Sequence, residues 1–379
     1  MTPVRHPTIH RRILTEVLSL PTAPFAEHHV IAFIEAFCAR RNGLVPQRDT
    51  AGNVLVRVRK GGRRIRRPVC LTAHLDHPGF VADRMTAKNR LRAWWRGGVP
   101  EGYFVGSGVR FFVDGAWTRG RVRSVKTVTR LGQRRVDTAS IRVDRPVPSG
   151  SIGMWDFPDP RFRGRRVHAR ACDDLAGVAA MLAALDELHR TRTTCDAYFL
   201  FTRAEEVGFI GAIAAARGGT IPKKCFVVAM ETSAQLPGAV MGDGPILRVG
   251  DRASSFTPAV TAYCHQIARD LAAADRRFAY QRKLMDGGTC ESSAYANLGY
   301  ETTGLCVALG NYHNVNAGRK TLGPEYIDLD DFDNVVTWFV ELARAPRPYT
   351  GRDEPLRAKI TELERTYATL LRRSRHHPC

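Results

Sequence analysis

Several features are scarce in this chain, and each scarcity closes off a class of protein. No stretch reaches the roughly eighteen uninterrupted apolar residues that a membrane-spanning helix needs, so no span is expected. The start, MTPVRHPTIHRRILTEVLSL, lacks a continuous apolar core followed by a small-residue cleavage site, and it reads as part of the fold rather than a secretion signal. The nine cysteines are odd in number and never stand in C-x-x-C spacing, which excludes a zinc knuckle, a redox pair and a fully paired disulfide framework. Several lie in apolar runs such as PVCLTAHL and KKCFVVAM, as buried thiols in a reducing compartment do, so a cytoplasmic location is expected.

Acidic residues are also short, 37 against 57 Lys and Arg, for a net charge of +20. Such a field attracts polyanions. Yet the densest basic run, Arg57 to Arg67, has no interleaved aromatics and is centred on Gly61-Gly62 between two apolar runs. It predicts a hairpin tip on a solvated Arg-rich surface, with nucleic acid bound only through non-specific charge.

What is present is α/β texture interrupted once. Residues 1–44 read as helical, and strands are expected at 53–59 and 68–75. From 80 to 165 short alternating segments (RLRAWWRG, GVRFFVDG, GRVRSVKTV, ASIRVDRPV) are punctuated by Gly and Pro, the pattern of a small β-barrel or sandwich. Beyond it, DDLAGVAAMLAALDELHR reads as a buried helix, CDAYFLFTRAEE, CFVVAMETS and TTGLCVALGNYHN as strands, and LDDFDNVVTWFVELARA as a long helix. The expectation is a mixed sheet flanked by helices, with a catalytic domain of residues 1–79 and 166–350 and an inserted barrel of 80–165. Residues 351–379 form a tail in which Leu356, Ile360, Leu363, Tyr367 and Leu370 space out an amphipathic helix, expected to pack on its own domain.

Four apolar runs end in metal-type ligands: His74 and Asp76, Glu205 and Glu206, Glu231, and His313. Asp173 stands just before a helix. In open α/β sheets ligands gather beyond the carboxyl ends of strands, and neighbouring strands lie only about 4.8 Å apart, so these groups can converge. Imidazoles and carboxylates without a thiolate suit hard or borderline divalent cations. Five ligands, His74, Asp173, Glu206, Glu231 and His313, suit two ions about 3.5–4 Å apart. Glu205, beside a ligand, is the candidate general base, and Asp76, at i+2 from His74, is placed to orient its imidazole. Glycosidic chemistry would need a carboxylate pair acting without metal, whereas these carboxylates are accompanied by ligand histidines.

At these residues the chain resembles the dinuclear zinc aminopeptidases of the tetrahedral (dodecameric) type, also called endoglucanase-like. The matching stretches are AHLDHPGF (73–80), ARACDDLAG (169–177), TRAEEVGFIGA (202–212) and LGNYHN (309–314), with Asp49-Thr-Ala-Gly-Asn53 ahead of them. The likeness spans roughly residues 10–345. It implies two ions per chain, zinc with cobalt or manganese as alternatives. It also implies Asp173 as bridge, His74, Glu206, Glu231 and His313 as terminal ligands, and Glu205 as base. It further implies a peptide substrate and a homo-oligomer, a dimer building to a larger shell through the inserted barrel. Glu231 stands where the family carries Asp, and Gly288-Thr-Cys290-Glu291-Ser replaces Gly-Thr-Asp-Ala. Carboxypeptidase or amide hydrolase (deacylase) chemistry, or a non-catalytic basic polyanion-binding relative, are therefore the alternatives carried forward.

Overall fold

The structure, a computed structural model, describes residues 7–62, 65–130, 132–191 and 193–375. Helices α1 (Pro7–Leu18) and α2 (His28–Ala39) precede strands β1 (Pro46–Arg48), β2 (Val54–Lys60) and β3 (Val69–His74). The continuous helical stretch expected at the start is thus two helices, broken where Pro21 and Pro24 remove backbone donors. Strands β4 (Gly79–Ala87), β5 (Arg90–Arg96), β6 (Gly108–Val113), β7 (Ala116–Arg130), β8 (Gln133–Val143) and β9 (Ile152–Trp155) follow. A short hairpin, β10 (Arg161–Arg163) and β11 (Arg166–Ala169), leads to α3 (Leu175–Arg190) and β12 (Cys195–Thr202). Next come α4 (Ile210–Arg217), β13 (Phe226–Ala234), β14 (Ile246–Asp251), α5 (Pro258–Ala274), β15 (Gln281–Met285), α6 (Glu291–Asn297) and β16 (Thr302–Leu309). The chain ends in β17 (Val315–Asn316), β18 (Thr321–Leu322), β19 (Glu325–Asp328), α7 (Leu329–Arg344) and α8 (Glu354–Ser374).

A mixed eight-stranded sheet, in the order β1-β2-β12-β3-β13-β16-β14-β15, is the frame. Its central strands β12, β3, β13 and β16 run parallel. Every residue of β3, β12 and β16 is buried, as expected of strands covered on both faces. Alternation sorts their side chains. Val69, Leu71 and Ala73 pack with α1, α2, α3 and α7, whereas Cys70 joins Leu200, Val227 and the α4 and α6 residues Ala212 and Tyr295 on the other face. No hairpin forms at Gly61-Gly62. β12 lies between β2 and β3 and pairs with both, a long-range insertion that a local turn signal does not report. Arg63 and Arg64 of that basic run lie outside the described residues.

Strands β4 to β9 close on themselves in the order β4-β5-β8-β7-β6-β9. Phe80, Trp95, Phe104 and Trp155 meet inside, with Phe80 4.6 Å from Trp95 and Phe104 5.2 Å from Trp155 between ring centroids. Gly153 makes room for this filling: a Cβ there would stand 2.5 Å from the Phe111 ring.

α8 departs from expectation. None of its residues is buried, so its apolar stripe is not packed on its own domain. The spacing defines an apolar stripe but does not place it on the chain's own domain.

Candidate metal centre

The parallel strands deliver the predicted ligands to one edge. His74, the last residue of β3, lies opposite Thr202, the last residue of β12. Beyond Thr202 the chain bends at Ala204, whose φ of 53° lies in the left-handed region, and Glu205–Val207 make one 3-10 turn. Two buried acids hold this bend. Glu27 accepts the Ala204 N–H at 3.0 Å and the Arg203 guanidinium at 2.8 Å. Asp76 accepts the N–H groups of Glu205 and Glu206 at 2.9 and 3.1 Å. A continuing strand would send Glu205 and Glu206 to opposite faces. The bend instead brings both into one ligand grouping with His74.

Asp76 therefore acts differently from the way its spacing suggests. The His74 Nδ1–H finds the Asp76 backbone carbonyl at 3.0 Å, while the Asp76 carboxylate, committed to the bend, is 3.7 Å away. His313 is held alike, its Nδ1 2.7 Å from the Gly98 carbonyl in the segment after β5. In both rings a proton on Nδ1 leaves Nε2 as an acceptor facing the cluster.

Asp173 precedes α3, where Asp174 caps the helix by accepting from Gly177. Glu325 of β19 accepts the N–H groups of Cys172 and Asp173 at 2.6 and 3.0 Å, and His77 Nδ1 lies 2.6 Å from the Asp173 carbonyl. So fixed, Asp173 divides its carboxylate. Oδ1 lies 3.5 Å from His74 Nε2, and Oδ2 lies 3.6 Å from His313 Nε2. Glu231 approaches His74 Nε2 at 3.8 Å, Glu205 at 3.9 Å, and Glu206 reaches His313 Nε2 at 3.2 Å. Of the three triads among the described residues, His74–Asp173–Glu231 and Asp173–Glu206–His313 share Asp173, and the third joins His74 to Glu205 and Glu206.

Carboxylates outnumber imidazoles in this enclosed space, and the electrostatics register the excess. Burial pushes Glu205 well above the usual carboxylate range and Glu231 up to about 8, with neighbouring carboxylates adding to both. Burial alone would lower His313, but Glu206 and Asp173 lift it to about 9. The cluster is short of positive charge. Oε1 of Glu206 and Oε1 of Glu231 are buried without a hydrogen-bond partner. Unpaired buried acceptors around a set of N and O donors fit divalent cations.

Beside the cluster, Glu231, Ser233, Arg248, Met285, Thr289 and Tyr312 line a cavity. Tyr312 stacks on His313 with centroids 3.8 Å apart. Arg248 is buried. One of its terminal nitrogens donates to Ser233 Oγ at 3.2 Å, and its Nε has no partner. It lies across Gly304 of the neighbouring strand, where a Cβ would come within 3.0 Å of the Arg248 side chain.

The structure brings His74, Asp173, Glu205, Glu206, Glu231 and His313 together, with Asp76 beside them as a backbone anchor. Cys290 and Glu291 belong to none of these groupings, and Glu291 instead accepts from Thr72 Oγ1 at 3.0 Å. Sequence reasoning missed Glu27, His77, Arg248, Asn314 and Glu325. His77 and Asn314 stand inside motifs that were singled out, and the His77 Nε2 contact with Asn314 Oδ1 at 3.0 Å joins those motifs. Glu27 and Glu325 act on backbone donors far away in sequence and leave no local signal.

A family model for M42 glutamyl aminopeptidases matches residues 52–320, more than half of the chain. A curated Acetivibrio thermocellus sequence, named as an aminopeptidase, is 27% identical over 254 residues, 63% of this chain and 72% of its own length. An aminopeptidase structure from the archaeon Desulfurococcus kamchatkensis superposes with a TM-score of 0.71 at 22% identity, covering 90% of this chain and 96% of its own. The Pyrococcus horikoshii TET1 peptidase, described as assembling into a tetrahedron or a large octahedral shell, gives 0.70 at 20% identity over 88% and 99%.

Proposed function

The chain belongs to the M42 peptidase family and is a metal-dependent aminopeptidase, and from that premise we propose a dinuclear centre bridged by Asp173. His74 and Glu231 would complete one site, and Glu206 and His313 the other. The observation that carries this reading is the division of the Asp173 carboxylate, one oxygen toward each histidine, at 3.5 and 3.6 Å. Zinc fits the donor set, and cobalt or manganese would be accepted by the same ligands. When bound, such a pair acidifies water and polarises the scissile carbonyl.

The remaining chemistry belongs to the chain. Glu205, at the rim of the cluster, takes the proton of the attacking water and delivers it to the leaving nitrogen. Asp76 and Glu27 position Glu205 through the backbone of the bend. The Gly98 and Asp76 carbonyls fix both imidazoles in the tautomer that turns Nε2 inward. The cavity beside Glu231 receives the side chain of the N-terminal residue. The Arg248 guanidinium with its unpaired Nε makes that pocket suited to a carboxylate, hence to peptides beginning with Glu or Asp. The family match favours this reading over the carboxypeptidase and deacylase alternatives.

The closed barrel, whose first strand begins one residue earlier at Gly79, would form the inserted domain of residues 80–165. The rest, 1–79 and 166–350, would be the catalytic domain. The shell described for the Pyrococcus peptidase supports a homo-oligomer, for which the barrel would supply the contact, and the location would be cytoplasmic. The test is hydrolysis of a panel of aminoacyl-anilides against their N-acylated counterparts by wild type and Glu205→Gln. The wild type is expected to cleave substrates with a free amine and Glu205→Gln to cleave them at least about a hundredfold more slowly. Turnover of the N-acylated set alone would refute the reading.

A further inference from the structure

α8 carries an apolar seam that the molecule does not cover. Leu356, Ile360, Leu363, Tyr367 and Leu370 repeat at 4-3-4-3 spacing, and Ile360, Tyr367 and Leu370 are 54%, 56% and 62% exposed. The hydrogen bonds of Thr361, Thr366 and Ser374 run to carbonyls of the same helix. Its first turn borders the body across a cavity shared by Leu356 with Phe256 and His265. A 3.5-residue repeat keeps one seam facing a partner along its whole length, which is the periodicity of paired helices.

We propose that this seam binds the same helix of a second copy of the chain, in antiparallel orientation. The flanking charges choose the partner and its direction. Arg357 and Glu364 lie on the same side of the seam one heptad apart. Antiparallel pairing about a two-fold axis sets Arg357 of each copy against Glu364 of the other, giving two equivalent ion pairs. It also places the basic last turn, Arg372 and Arg373, toward the acidic start at Asp353 and Glu354 of the second helix. Parallel pairing would set Lys359 of each copy against Glu364 of the other, but it would leave Arg357 without an acidic partner and bring the two basic helix ends together. A helix built for an anionic membrane would carry a uniformly basic polar face, whereas Glu362 and Glu364 interrupt this one. The barrel plays no part in this contact, so it would join copies independently of any barrel interface.

The test is the mass of the full-length protein by sedimentation velocity. The variants are Leu363→Asp, Arg357→Glu and the exchange Arg357→Glu/Glu364→Arg. Because no residue of α8 is buried, these substitutions leave the folded body intact, and aminopeptidase activity per chain serves as the control. Leu363→Asp is expected to halve the mass of the assembly. Arg357→Glu should weaken association about tenfold, and the exchange should restore it, all with activity within twofold of wild type. An unchanged mass in Leu363→Asp would overturn the proposal. So would an exchange that fails to restore association, or wild-type binding to phosphatidylserine vesicles that Leu363→Asp abolishes at constant mass. None of these readings depends on the metal centre.

Discussion

Glu205 and Arg248 are the two side chains whose chemistry decides most. Glu205 is held at the cluster through its own N–H on Asp76 and that of Ala204 on Glu27, with its carboxylate 3.9 Å from His74 Nε2. Glu205→Gln keeps that backbone and the size of the side chain but cannot accept a proton. It is expected to lower kcat by roughly 10²- to 10⁴-fold, with metal content unchanged by elemental analysis. A variant that retained full turnover would remove Glu205 from the proton path. Arg248 faces the cavity with Ser233 as its hydrogen-bond partner. Arg248→Met preserves volume and removes the charge, and a charge-assisted hydrogen bond is worth about 1.5–3 kcal/mol. Steady-state assays should show kcat/KM for Glu- and Asp-initiated substrates falling roughly tenfold or more relative to Leu-initiated ones. An unchanged ratio would show that the guanidinium does not read the substrate. Neither Arg248 nor Gly304 stood out in the sequence, since an arginine and a glycine in separate strands become a receptor only through sheet register.

Among the elements, α3 shows how a helix can be ion-locked as well as packed. Asp186 accepts from Arg41 at 2.9 and 2.6 Å and from Arg190 at 2.8 Å. Burial would raise its carboxyl, but the two guanidiniums outweigh burial and hold it below the ordinary value. A depressed folded pKa stabilises above the unfolded pKa, and the benefit is lost as pH falls through the folded one. Asp186→Asn should therefore cost about 1–3 kcal/mol at pH 7 by urea denaturation. The gap to wild type should close in acid, below the ordinary carboxylate range, and a constant gap would contradict the assignment.

Much of the frame was legible at this scale. Apolar runs marked β3, β12, β13 and β16, and alternation marked the segments that close into the barrel. The position of β12 between β2 and β3 was not legible, because strand order depends on pairing across more than a hundred residues. Glu27 and Glu325 escaped notice because a carboxylate that serves distant backbone N–H groups looks like any other acid.

For the molecule as a whole, the strand-end ligands could be read because each stood at the close of an apolar run. What sequence could not supply was how the Asp173 carboxylate divides. A folded site that binds ions the unfolded chain does not is stabilised by mass action, by about 2.7 kcal/mol when free metal is a hundredfold above Kd. Chelation should lower the melting temperature, and restoring the metal should raise it again. The most direct measurement is metal stoichiometry by mass spectrometry of wild type, His313→Ala and Asp173→Ala. A centre bridged by Asp173 predicts two ions per chain in wild type, one in His313→Ala and none held tightly in Asp173→Ala. One ion in wild type, or two retained without Asp173, would contradict it.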